Sequence, residues 1–65
     1  MYNIYEELRN ERKMRDIDVA REANIPQATL SRWKHGMYEP KYKTISKIAK
    51  VLGVKTSVFY EGGEE

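Results

Sequence analysis

Asn24-Ile25-Pro26 constrains this chain more than any other stretch, because it must end one helix and begin another with no room for a linker. Asn enters the left-handed backbone region more readily than most residues. Pro suits the first position of a helix, where its missing N–H has no intrahelical partner. Gly36, Gly53 and Gly62 likewise each follow an amphipathic stretch and read as helix terminators. Stops this close together exclude long helices, and no period-two alternation supports a strand. The expected class is all-α, a compact domain of five short helices with a tight turn between the second and third.

The stretches between these stops carry helical periodicity. Asn3 followed by Glu6 has the form of a capping box, and Ile4 and Leu8 start an apolar stripe on a first helix running to about Lys13. Asp16 and Asp18 bring negative charge to the start of the second helix, where free N–H groups favour it. Val19, Ala20 and Ala23 form its inner face. The third helix begins at Pro26 and runs to about His35, and a loop over 37–41 closes on Pro40. Ile45, Ile48, Ala49 and Leu52 recur at helical spacing and end at Gly53. Val54, Val58 and Phe59 belong to a last short helix that Thr56 can cap. The expected core comprises Leu8, Val19, Ala20, Ile25, Leu30, Trp33, Ile45, Ile48 and Leu52. The domain is expected to span 1–60, with 61–65 as an acidic flexible tail.

Sixty-five residues hold one small core and no interlobe cleft. With no cysteine there is no disulfide framework, thiolate metal site or cysteine nucleophile. No nucleophile–base pair, phosphate loop or metal set is evident, so no enzyme, cofactor or small-molecule substrate is expected. His35 has no Cys or second His to share a metal. No apolar run approaches the roughly 20 residues of a membrane span and no signal segment is present, which points to the cytoplasm. The net charge is +2. Residues 1–60 hold 12 Lys and Arg against seven Asp and Glu, a surplus of five. A basic body is compatible with nucleic acid or with an ordinary solvated face.

The third helix is the informative one. If Leu30 and Trp33 mark its buried side, then at about 100° per residue Ala28, Ser31, Arg32 and His35 lie opposite, with Gln27 on the flank. That face has no acid. A plain bundle would hold Glu–Lys pairs there, whereas Gln, Ser and Arg suit hydrogen bonding to base edges. Thr29 lies near the buried side, so its methyl serves either the core or a thymine.

The run Asp-Val-Ala-Arg-Glu-Ala-Asn-Ile-Pro-Gln-Ala-Thr-Leu-Ser-Arg-Trp-Lys-His-Gly over 18–36, with Ile-Ala-Lys-Val-Leu-Gly-Val over 48–54, resembles the helix-turn-helix family of lambda-type phage repressors and Cro proteins. The resemblance covers about residues 4–60. It implies five helices, the third in the major groove of double-stranded DNA and the second across it near the backbone. Carried over by position, Gln27, Ala28, Ser31 and Arg32 fall where family members touch base edges. Gln27 pairs well with adenine, Arg32 with guanine, and the Ala28 methyl with thymine. Phosphate contacts are expected from Arg15, His35, Lys41 and Lys43. The resemblance further implies a sequence-specific regulator, of phage or mobile-element repressor type, occupying an operator as a possible homodimer. Val58, Phe59 and Tyr60 would form the dimer surface or simply close the core.

The chain also departs from the family pattern. Lys13 stands where Gly is common and Arg15 where Ser or Thr usually caps the second helix, leaving Asp16 to substitute as cap or Arg15 to trade capping for phosphate attraction. The family's first-helix Arg, here Arg9, often pairs with an acid in the third helix where this chain has Lys34, so that pair cannot form and Glu39 is one candidate partner. Trp33 is expected in the core, and Tyr38 and Tyr42 under the 37–41 loop. A rival reading keeps the frame as a protein-binding adaptor or antitoxin-like module facing a toxin or a polymerase subunit.

Overall fold

A computed structural model describes residues 1–61. Five helices follow in order: α1 (Tyr2–Glu11), α2 (Asp16–Ala23), α3 (Gln27–Lys34), α4 (Tyr42–Leu52) and α5 (Val58–Glu61). No strand occurs among the described residues. Gly62 and most of the 61–65 tail lie outside them; the backbone of Glu61 closes α5.

The first four helices end in one way. At Lys13, Asn24, Gly36 and Gly53 the backbone turns left-handed, with φ of 54°, 59°, 72° and 74°. The next residue's N–H then reaches back five positions: Met14 to the Arg9 carbonyl at 3.1 Å, Ile25 to Ala20 at 3.0 Å, Met37 to Arg32 at 2.9 Å and Val54 to Ala49 at 3.0 Å. This six-to-one bond satisfies a carbonyl that the ended helix leaves without a partner. Each reversal folds the chain back at once, which is what permits helices of eight to eleven residues to bury a shared face.

The core joins Tyr5, Val19, Ala20, Leu30, Trp33, Ile45, Ile48, Ala49, Leu52 and Phe59, with Ala23 beside them. Leu8 and Ile25, expected inside, are partly buried and pack on the margin. Tyr5 takes the central place on α1. The rings of Tyr2, Tyr5 and Trp33 lie 5.3 Å apart in every pairing, within the range where tilted and edge-on aromatics attract. That packing extends α1 back to Tyr2, with Met1 as its N-cap and no side-chain cap. Asn3 is therefore inside the first turn, and the expected capping box with Glu6 does not form. Two further expectations shift by local geometry. Pro26 is the N-cap of α3 and not its first helical residue. Thr56 spends its hydroxyl on Ser46 of α4 at 3.3 Å and not on capping α5.

Arg12 ties the ends of two helices together. Its Nε donates to the Leu52 carbonyl at 2.6 Å and its Nη1 to the Leu8 carbonyl at 3.0 Å. One guanidinium thus serves carbonyls at the C-terminal turns of both α1 and α4, which favour a cation.

Lys13 is the one reversal made by a residue with little intrinsic tolerance for positive φ. A left-handed side-chain-bearing residue costs roughly 1–2 kcal/mol, part of which glycine gives back through its greater unfolded-state freedom. Lys13→Gly is therefore expected to raise stability by about 0.5–1 kcal/mol, read as a higher urea midpoint with an unchanged slope. Gly53→Ala, where an added Cβ meets no atom within 4 Å, should lower it by a similar amount through backbone conformation alone.

Candidate nucleic-acid interface

α3 is anchored from one side only. Leu30 is fully buried and Trp33 nearly so, and the rotation they impose leaves Gln27, Ala28, Ser31, Arg32 and His35 exposed. No other element covers that face. Thr29 is half-buried between the two sides. From Gln27 to Arg32 the exposed row is about 7.5 Å long at 1.5 Å per residue, and it holds no acid. Arg32 has no carboxylate within 4.0 Å among the described residues. Its fork is free to make a bidentate contact.

The expected phosphate-binding residues sit at helix ends. His35 caps α3, and its Nδ1 lies 2.9 Å from the Ser31 carbonyl, which leaves Nε2 as the outward nitrogen. Lys41 is the N-cap of α4 and Lys43 its second residue. Both are exposed, and neither has an acid partner among the described residues. Arg15 is the N-cap of α2, with its side chain 77% exposed.

Arg15 is also engaged within the chain. The Asp18 carboxylate accepts from the Arg15 backbone N–H at 3.0 Å, from Arg15 Nε at 3.1 Å, and from Arg21 Nη2 at 3.1 Å. Because a guanidinium cannot accept, only this reciprocal half of a capping box exists. Asp16 does not substitute as the cap; the bond that closes the start of α2 comes from Asp18. Hydrogen bonds from the Arg15 side chain and then its backbone hold the Asp18 carboxyl below its ordinary value of 3.8.

Asp16 turns instead toward α1. The Tyr5 hydroxyl donates to its Oδ1 at 2.7 Å, and Arg9 Nη1 donates to the same oxygen. Glu39 is not the partner of Arg9; Asp16 is, with Glu6 at 4.0 Å as a looser neighbour. Burial, followed by the bond to Asp16, pushes the Tyr5 hydroxyl well above the usual phenol range. For Arg9, burial is the largest influence and opposes the charge, but the hydrogen bonds and attraction of Asp16 and Tyr5 together outweigh it.

One aromatic expectation needs correcting. Tyr38 and Tyr42 do not pack under the loop: they are 39% and 65% exposed. Tyr42 stacks on Tyr60 of α5, with centroids 6.1 Å apart. Of the three residues expected either at a dimer surface or closing the core, Phe59 takes the core role, being 2% exposed. Val58 is half-buried, and Tyr60 remains open to solvent.

A two-helix unit with a left-handed turn, a buried inner side and an exposed, acid-free second helix is a helix-turn-helix domain. The family model described as Helix-turn-helix matches residues 6–59. The chain belongs to this lambda repressor/Cro-like family of DNA-binding transcription regulators. No curated protein and no solved structure matches it. Among the described residues no helix is long and apolar enough to cross a membrane, and no three metal-ligating side chains converge.

The Asp18 cap has a pH signature. A carboxyl whose folded pKa lies below its unfolded value stabilises the fold fully above the unfolded value, here 3.8, and ceases to do so as pH falls through the folded one. Asp18→Asn should therefore flatten the acid limb of the melting-temperature profile, where pH falls through 3.8 and below. An acid limb as steep as that of the unaltered chain would show that the cap contributes nothing.

Proposed function

We propose that the chain is a sequence-specific double-stranded DNA-binding regulator of phage or mobile-element repressor type, acting in the cytoplasm by occupying an operator. The observation that carries this reading is the exposed, acid-free row on α3, set on a buried Leu30–Trp33 base. In this arrangement α3 enters the major groove. Arg32 takes guanine O6 and N7, Gln27 takes adenine N6 and N7, Ser31 donates to either, and Ala28 packs on a thymine methyl. Each bidentate pair, from Arg32 or Gln27, discriminates by roughly 1–3 kcal/mol.

Lys41, Lys43, Arg15 and His35 then border the phosphates and fix the register without reading sequence. The charge distribution supports them. From Ala23 to Tyr60 the chain carries seven Lys and Arg and a single acid, Glu39. A palindromic operator would be met by a symmetric dimer whose half-sites lie about 10 base pairs apart. The exposed stack of Tyr42 and Tyr60 offers an apolar surface for that contact, with the half-buried Val58 on the same short helix as Tyr60.

Selection of bound sites from a random duplex library tests the reading. Arg32→Ala should relax preference at one base position while leaving the rest of the selected motif intact. Lys43→Ala should weaken all sites alike and reduce the slope of log K against log salt by about 0.9. A slope near zero for the unaltered chain would overturn the DNA reading in favour of a protein partner.

A further inference from the structure

Asp16 occupies an unfavourable place for a protein that meets a polyanion. It is the first residue of α2, directly after the exposed Arg15, and its own side chain is 25% exposed. On the proposed reading the start of α2 borders the DNA backbone. A bare carboxylate there repels phosphate.

The carboxylate is covered from inside the protein. Arg9 Nη1 and the Tyr5 hydroxyl converge on its Oδ1. Tyr5 is fully buried and the Arg9 side chain is 15% exposed, so both donors have little freedom to leave. Arg9 is further fixed by Nη2 on Asn10 Oδ1 at 3.0 Å and by its position 5.5 Å from the centre of the Tyr5 ring. Arg9 Nε is buried with no acceptor. Asp16 is therefore the principal compensation for placing this guanidinium against the core. Asp18 differs in kind, because its two arginines are 77% and 68% exposed and can swing toward a phosphate.

We propose that Arg9 and Tyr5 are positioning residues for DNA binding: they mask the Asp16 carboxylate at the start of α2 and so let a phosphate approach Arg15. The inference rests on the DNA-binding reading above. Neither residue touches DNA. Their contribution is to cancel a charge that lies closer to the interface than they do.

The test measures affinity for a mixed-sequence DNA duplex, at a temperature where circular dichroism shows each variant folded. Arg9→Met should weaken binding about tenfold by baring Asp16. Adding Asp16→Asn should restore affinity to within about threefold of the unaltered chain, even though the double variant is no more stable. Adding Glu22→Gln instead, which neutralises an exposed acid about 9 Å farther along α2 and leaves the same net charge, should not. A purely structural role for Arg9 predicts no selective rescue, and a general charge effect predicts equal rescue by both.

Either of those results overturns the proposal, as does an Arg9→Met variant that binds like the unaltered chain. If Arg9→Met does not fold, Tyr5→Phe takes its place. It keeps the ring, removes one donor, and should show a smaller loss that Asp16→Asn reverses and Glu22→Gln does not. Failure of the unaltered chain to bind duplex DNA in a salt-dependent way is a different result, and it overturns the DNA reading itself.

Discussion

The fold depends on four left-handed reversals. Helices of eight to eleven residues do not persist alone in water, because nucleation is costly and few backbone bonds offset it. They persist here because each ends abruptly and returns its apolar face to a common core. Lys13, Asn24, Gly36 and Gly53 make the same turn and the same six-to-one hydrogen bond. The turn at Asn24 sets α3 against α2, and the turn at Gly36 leads away to α4. Between them Leu30 and Trp33 fix the rotation of α3, and with it the side chains presented to solvent.

Charge follows this division of the chain. In α1 and α2 the arginines at 9, 15 and 21 are paired with aspartates, and Arg12 serves backbone carbonyls. From α3 onward the cations have no carboxylate within 4.0 Å among the described residues. Ion pairs in the first half tie the elements together or cap them. The unpaired cations of the second half leave a field that favours a polyanion, with Arg15 at the boundary between the two groups. The same residue type, arginine, is structural at position 12 and free at 32, and only its surroundings distinguish the two.

Much of the helix-turn-helix was legible because its signals are local. Asn24, Gly36 and Gly53 announce their reversals by residue type, since few residues accept positive φ. The outward row of α3 follows from the positions of Leu30 and Trp33 and the helical period. Lys13 makes the same reversal with no such announcement: nothing about lysine marks it as left-handed, and the six-to-one bond from Met14 is visible only when folded. The Asn3–Glu6 box failed for the opposite reason. Its local signal is sound, but the packing of Tyr2 on Trp33 carries the helix past it.

What the amino-acid order by itself determined was the number of helices, the reversals at Asn24, Gly36 and Gly53 and the side of α3 that faces outward, because backbone preference and apolar periodicity act over a few residues. Tertiary structure alone decided that Asp16 belongs to Arg9 and Tyr5, that Asp18 caps α2, that Arg12 bridges α1 and α4, and that Phe59 lies in the core while Tyr60 does not. These pairings join residues on different helices or choose between neighbouring acids. Their partners are set by the angles at which helices pack, and no short-range spacing rule encodes those angles.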